Sequence, residues 1–485
     1  MLTKVLLATL LANPAMLVQA APNPWAAMAK SDLDFVYHTL QEDHPGAIDR
    51  HNPYFRQWMD TGYAAASASA AKATSIGDEK RLLMRYMAGF ADGHLNVDFD
   101  YSHSQQRWPG LIVARIGGRY LVTGRAKTWP VPLPAKGVEL VSCNGRAPDT
   151  LMNEDVLPSL FNLTGLDSVK STYAHYLFRD DEILPHQYAK CVFADSGARQ
   201  EWALQWEPIR RYDYFDELSA ATPSVSKESS VTMAAADTAW IRLPQFSPAE
   251  AEEAALMRVP AAAAKVRGAA VIVFDLRGNQ GGNSKWGTDV LQGVYGKAYM
   301  DYFDQKQGSS QYVEYRVSEN NARHAEHYIP IMARQFGADS ATTRQAIDFA
   351  RRMRAALVSG APFVRQDSGE GSKPLAAASA PLPLSQARAV LLTDSGCVSS
   401  CLDFADAVLR LPNVRHVGET TGADTLFMEV RKVPLPSGLG QLILAQKVYR
   451  GRQRGSNQPW TPSLTYDGAI GDTASVQAWV LKNAR

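Results

Sequence analysis

Two apolar runs, residues 269–274 and 387–393, constrain the fold of this chain more than any other feature. A strand with one face in water alternates apolar and polar residues, whereas a strand covered on both faces reads as a continuous apolar run. Both runs are therefore expected to be strands inside a layered core. A shorter strand is expected at 239–243, followed by a helix starting at Ser247-Pro248, with Glu250 as the capping acid. A further helix follows the second run, with Cys401, Ala405 and Val408 on one face. Strands alternating with helices in this way specify an α/β core.

With 485 residues the chain is too long for one core. Residues 22–95 read as helical. Ser31 with Asp34 opens a helix whose Leu33, Val36, Tyr37 and Leu40 share a face, and His44-Pro45-Gly46 stops it. A second helix is expected from Asp78 to Phe90, ending at Gly93. Residues 106–210 change character. Apolar runs at 111–114 and 120–123 flank Gly117-Gly118 as a hairpin, and 137–141 with Asn144-Gly145 adds a strand and turn. Between the two core strands, 318–358 looks helical, and 366–384 is a loop rich in Ser, Gly, Pro and Ala. An insertion of this size is either the wall or lid of a site or a decoration. The expected division is a leader at 1–20, a helical domain at 21–105, a β-rich module at 106–225 and the core at 226–485, interrupted at about 300–385.

The leader reading rests on a basic start at Met1–Lys4, an apolar run at 5–12 and the small residues of Val18-Gln19-Ala20. It implies export, with a mature chain starting near Ala21. The run is too short to span a membrane, and no other stretch is long enough. Lys+Arg is 50 against Asp+Glu 49, so no charge footprint for nucleic acid or an anionic membrane is present. Export makes disulfides possible for Cys143, Cys191, Cys397 and Cys401. On a helix Cys397 and Cys401 would have Cα atoms about 6 Å apart, within bonding range. The spacing leaves the pairing, or two buried thiols, open.

Each core run is followed by a turn suited to chemistry. DLRGNQGGN at 275–283 lets the backbone approach a ligand closely, and its N–H groups can hold an oxyanion; it is not a phosphate loop. DSGCVSS at 394–400 places a serine at the start of a helix, in a positive field and beside a free amide. Ser399 or Ser395 could equally be a helix cap. A nucleophilic serine needs a base. Of the ten histidines, His94 stands out in Asp92-Gly93-His94, where a helix ends and an alternating strand begins, but by position alone it is one candidate among several. His324 and His327 form a pair without a third ligand, which is a poor metal signal and more often a solvated helix face.

Three blocks together resemble the carboxyl-terminal processing (tail-specific) serine proteases, and their tricorn-like branch in particular. They are FADGHLNV at 90–97; AWIRLPQF at 239–246 with VIVFDLRGNQGGN at 271–283; and AVLLTDSGCVSSCLDFADAV at 389–408 with VGETTGA at 417–423. The resemblance implies a ClpP/crotonase-like ββα core. It also makes the module with KGVELVSCNGR at 136–146 PDZ-like, able to bind an extended peptide by strand addition. It assigns Ser399 as nucleophile, His94 as base, and Gly281 and Ser400 as oxyanion-hole donors, with Gly282 adjacent. The other branch uses a lysine beyond the VGETTGA block, and residues 420–424 hold none. Leu402 stands where the family has a glutamate, with Asp403 next. The branch's acidic residue near the C-terminal end has no evident counterpart; Asn457 or Gln458 occupies that region.

The expected activity is an exported serine peptidase acting on peptides or proteins, without metal or cofactor. The alternatives are an inactive peptide- or small-molecule-binding protein on the same fold, and a metal-dependent hydrolase using His324 and His327.

Overall fold

A computed structural model describes residues 23–100, 106–222, 225–307, 311–366 and 381–484. The leader expected at 1–20, His103 and most of the loop expected at 366–384 lie outside the described residues. The two apolar runs form neighbouring parallel strands, Val271–Asp275 and Arg388–Thr393, in a six-stranded sheet. Thr238–Arg242 and Val414–Gly418 flank them in parallel; Leu464–Thr465 adds a parallel edge and Ser230–Ala235 an antiparallel one. Alternate side chains serve opposite faces. Ile272, Phe274, Ala389 and Leu391 pack under the helices Glu250–Lys265, Lys285–Tyr295 and Ser400–Leu409. Val271, Val273, Val390 and Leu392 pack against Val476 and Val480 of Thr473–Asn483. Each large apolar side chain so buried contributes about 1.5–3 kcal/mol.

The first of these helices starts later than its sequence signal. Ala249 is the N-cap, and its amide donates to the carboxylate of Glu252 at 3.2 Å. Ser247-Pro248 is therefore an approach turn, and Glu252, not Glu250, is the capping acid.

The N-terminal region is helical, with shifted boundaries. Its first helix, Pro24–Asp43, begins before Ser31 because Asn23 caps it, accepting from Trp25 N, and Pro24 is preorganised for the first turn. Leu33, Val36 and Leu40 are buried and Tyr37 is partly so. A helix at Pro53–Ala70 carries no signal singled out above. The third, Ile76–Ala88, is capped by Ser75 and ends at Gly89, earlier than expected, which frees residues 90–95 for a turn.

The β-rich module is an antiparallel sheet in chain order: Leu111–Ile116, Arg119–Arg125, Glu139–Cys143, Lys190–Asp195 and Ala198–Ala203. Gly117 and Gly118 make the expected hairpin turn at positive φ. Short helices between residues 148 and 178 cover one face. Cys143 and Cys191 are direct partners on adjacent strands and form a disulfide; Cys397 and Cys401 form the other.

A second large sheet decides where the N-terminal region sits. Its long strand, Gly440–Arg450, pairs with Phe427–Pro434 on one edge. On the other edge it takes Asn96–Phe99 from the N-terminal region and Tyr312–Arg316 from the insertion, which carries Phe363–Gln366 beyond it. The helices Glu319–Phe336 and Ala341–Ser359 of the insertion hang from these strands. Leu33, Phe55 and Phe90 share one apolar cluster with Phe427, Leu442, Leu444 and Val448. A buried Asp43–Arg431 ion pair, with Asn321 accepting from Arg431 Nε at 3.0 Å, joins helical region, hairpin and insertion. The insertion is thus woven into the fold.

The two disulfides should differ in weight, because a cross-link stabilises by the loop it closes. The Cys143–Cys191 link spans a separation of 48 residues and Cys397–Cys401 one of 4. The loop-entropy relation gives roughly 4 kcal/mol for the first and about 2 kcal/mol for the second. Denaturant unfolding of the two double-alanine variants is expected to rank them in that order.

Candidate active site

The parallel register brings two turns side by side at the carboxyl ends of the central strands, where open α/β sheets place ligand sites. Asp275 pairs with Leu392, and Leu276 N donates to Leu392 O at 2.9 Å. Asp394 then bridges the turns: Oδ2 accepts from Gly278 N at 2.7 Å and Oδ1 from Gly396 N at 3.0 Å. Glu419, on the next strand's exit, accepts from Ser395 N at 3.1 Å. Burial pushes Asp394 up to about 6 and Glu419 to about 7, the latter also through repulsion by Asp394.

Ser399 lies between the strand Arg388–Thr393 and the helix Ser400–Leu409, with φ 56° and ψ −127°. Such a conformation costs about 1–3 kcal/mol in a non-glycine residue and persists only where the surroundings impose it. Here the disulfide brackets it, two residues away on each side. Only Cys401 of that pair is helical; Cys397 sits in the turn. Ser399 N donates to Asp424 Oδ2 at 3.1 Å, so the backbone is clamped from below while the hydroxyl points elsewhere.

The glycine turn approaches from the other side. A Cβ on Gly281 would lie 2.7 Å from Ser399 Cβ and 3.0 Å from Ser400 N; one on Gly282 would meet Phe246 O at 2.1 Å. Both positions require glycine. Gly281 N donates to Asn279 Oδ1 at 2.9 Å, so that amide is already engaged. Among the described residues, Ser400 N and Gly282 N donate to no protein acceptor. The Ser400 hydroxyl donates to Gly282 O at 2.5 Å and locks the turns together.

His94 reaches this point from the N-terminal region. Ala91 takes a positive φ of 50°, and Asp92 Oδ1 accepts from His94 N at 2.9 Å, turning the chain sharply. The strand Asn96–Phe99, paired with Gly440–Arg450, holds the turn in place. His94 Nε2 lies 3.2 Å from Ser399 Oγ. Its Nδ1 is buried without a hydrogen bond and stands 3.8 Å from Asp92 Oδ1.

The C-terminal segment supplies the frame. Asn457 Nδ2 donates to Ala91 O at 2.8 Å, holding the His94 turn, and its Oδ1 is buried without a partner. Gln458 Oε1 accepts from Gly455 N in its own turn. Arg454 donates to Asp424 Oδ1 at 2.6 Å and to Asp406; Arg452 bridges Asp403 and Asp406 at 2.8 Å each. Both arginines and Asp424 are almost fully buried, Asp403 and Asp406 are partly buried, and all five are mutually paired. Asp403, next to Leu402, thereby ties the serine helix to residues 452–454. Sequence reading missed Asp424, Asp406 and both arginines, because their partners lie 30 to 49 positions away.

A cavity of about 410 Å³ opens over Ser399 and His94. Phe161, Val169, Thr172 and Tyr173 of the β-rich module form its far wall, facing Val398 and Gly422. Thr172 Oγ1 donates to Ser395 O at 3.4 Å. His324 and His327 sit on the insertion helix Glu319–Phe336, away from this cavity. Among the described residues no His, Cys, Asp or Glu cluster is arranged to hold a metal ion. No described helix is long and apolar enough to cross a membrane.

The family model of peptidase family S41 matches residues 237–462, which contain both turns, Ser399 and the C-terminal frame. Among solved structures, mature CPAF complexed with lactacystin aligns over 94% of this chain and 97% of that chain, with TM-score 0.64 and 13% identity. Mature CPAF aligns over 94% and 96%, with TM-score 0.61 and 13% identity. At such identity the likeness is one of fold. No match is found among the curated proteins.

The buried carboxylates beneath the serine turn make stability depend on pH. Asp394 and Glu419 hold protons more tightly folded than unfolded. Their contribution is intact below the ordinary carboxylate range and is lost as pH rises through about 6 to 7. Each contributes on the order of 3 kcal/mol of this loss. Urea unfolding at pH 5 and pH 8 is expected to show a smaller drop for Glu419→Gln than for the wild type.

Proposed function

On the premise that the chain belongs to the carboxyl-terminal processing proteases, peptidase family S41, and is a serine-type peptidase, we propose that Ser399 is its nucleophile and His94 its general base. The observation that carries the proposal is the 3.2 Å separation of His94 Nε2 and Ser399 Oγ. That separation suits proton transfer without substrate present. His94 accepts the Ser399 proton as Oγ attacks the peptide carbonyl, then delivers it to the leaving amine; water repeats the sequence on the acyl-enzyme.

The oxyanion is met by Ser400 N–H and by the glycine turn. Gly281 N–H contributes if the substrate oxygen displaces Asn279 Oδ1, and Gly282 N–H is the unengaged neighbour. Losing one such donor costs about 3–4 kcal/mol of barrier. The mainly apolar wall of Phe161, Val169 and Tyr173 suits an unfolded segment or a chain terminus of a protein substrate. In this reading the β-rich module is PDZ-like and presents peptide to that wall by strand addition. Export is supported by the leader pattern and by the disulfide bonding of all four cysteines.

Ser399→Ala and His94→Ala are each expected to lower hydrolysis of an unfolded protein by about 10⁴-fold or more. A fluorophosphonate probe should label the wild type at Ser399 and leave Ser399→Ala unlabelled. Labelling absent from a folded wild type would favour the inactive binder, and sensitivity to a chelator would favour a metal hydrolase. In an exporting host, N-terminal sequencing of the mature protein should begin near Ala21.

A further inference from the structure

The base proposed above lacks a hydrogen bond on its second nitrogen, and residues 451–460, which frame the site, contain no Asp or Glu. We infer that Asp92 is the positioning residue for His94: its carboxylate holds the ring with Nδ1 protonated and stabilises the imidazolium, with His44 behind it. This inference rests on His94 being the base.

Three buried polar atoms that lack hydrogen bonds lie in sequence from the cavity inward: His94 Nδ1, Asp92 Oδ2 and His44 Nε2. Asp92 Oδ1 stands 3.8 Å from His94 Nδ1, and Asp92 Oδ2 stands 3.8 Å from His44 Nε2. Both separations exceed a hydrogen bond, so the ring or the carboxylate must move closer for either bond to form. Catalytic hydrogen bonds are often long before substrate binds. Asp92 cannot turn away freely, because Oδ1 also accepts from His94 N and from Thr425 Oγ1 at 2.9 Å each.

His44 fixes the other end. Its Nδ1 accepts from Gly46 N at 3.0 Å, so its proton sits on Nε2, facing Asp92. Its ring is stacked on Phe55 and wholly buried, and burial lowers it to about 3, so it stays a neutral donor. Burial raises Asp92, while the nearby His94 and the two hydrogen bonds oppose this. The remaining charged group facing this cluster, Asp424, is neutralised by Arg454 and occupied by Ser399 N. Asn457 holds Ala91 O instead.

The test uses the full mature chain with ¹⁵N-labelled histidine, the His94 signals being identified by their loss in His94→Gln. In the wild type His94 is expected as the Nδ1–H tautomer; a resting Nε2–H tautomer overturns the inference without any need for a folded variant. Asp92→Asn is expected to lower kcat by about 10²- to 10⁴-fold with KM little changed, as for loss of the carboxylate in serine triads. Its acid limb of kcat/KM should move to lower pH by about one unit, because the imidazolium loses its counter-charge. Full kcat and an unmoved limb in Asp92→Asn, with His94→Ala inactive, overturn the role of Asp92 alone. An active His94→Ala would instead remove the base assignment. A tautomer change in Asn457→Ala but not in Asp92→Asn would assign the role to Asn457 and also overturn the inference.

Discussion

Everything at the site depends on two parallel strands being in register. Because Asp275 pairs with Leu392, the glycine turn and the serine turn leave the sheet at the same level, and one carboxylate, Asp394, can bond amides in both. That bridge, together with the Ser400 hydroxyl on Gly282 O, fixes how closely the glycine backbone meets Ser399. Gly281 and Gly282 are the residues that tolerate that approach. A shift of one residue would turn every core side chain to the wrong face and separate the turns.

The base arrives by a different route. His94 belongs to the N-terminal region and meets a serine 305 positions away. The strand Asn96–Phe99 is captured by Gly440–Arg450, and the same long strand captures the insertion. The buried charges of Arg452 and Arg454 then couple the end of that strand to the serine helix and to Asp424 beneath Ser399. Buried ion pairs are weak stabilisers but costly to break, and so suit a geometry that must not drift.

Much of the core was legible from pattern. The continuous runs became strands buried on both faces, and Cys401, Ala405 and Val408 are all buried on their helix. The hairpin forms at Gly117-Gly118 between the two apolar runs, and the stretch expected to be helical at 318–358 forms two helices, Glu319–Phe336 and Ala341–Ser359. Boundaries were less legible. Asn23 and Ser75 cap helices ahead of the residues that pattern favoured, and Ala249 caps one with no side-chain bond of its own. Pattern reports which face is apolar; where a helix starts depends on which backbone amides find an acceptor.

The sequence by itself determined the layered α/β core and its two chemical turns, while His94 was singled out as the base by resemblance to a family. Those properties follow from the order of side chains along short stretches, where alternation and glycine placement have direct conformational consequences. Only the tertiary structure decided that the insertion is fastened into a shared sheet and that the β-rich module walls the cavity. It alone decided the cysteine pairing, and that Asp92 and His44 face the inner side of His94. These depend on contacts between residues tens to hundreds of positions apart, whose free energy is settled by burial and pairing in the assembled fold and leaves no local periodicity to read.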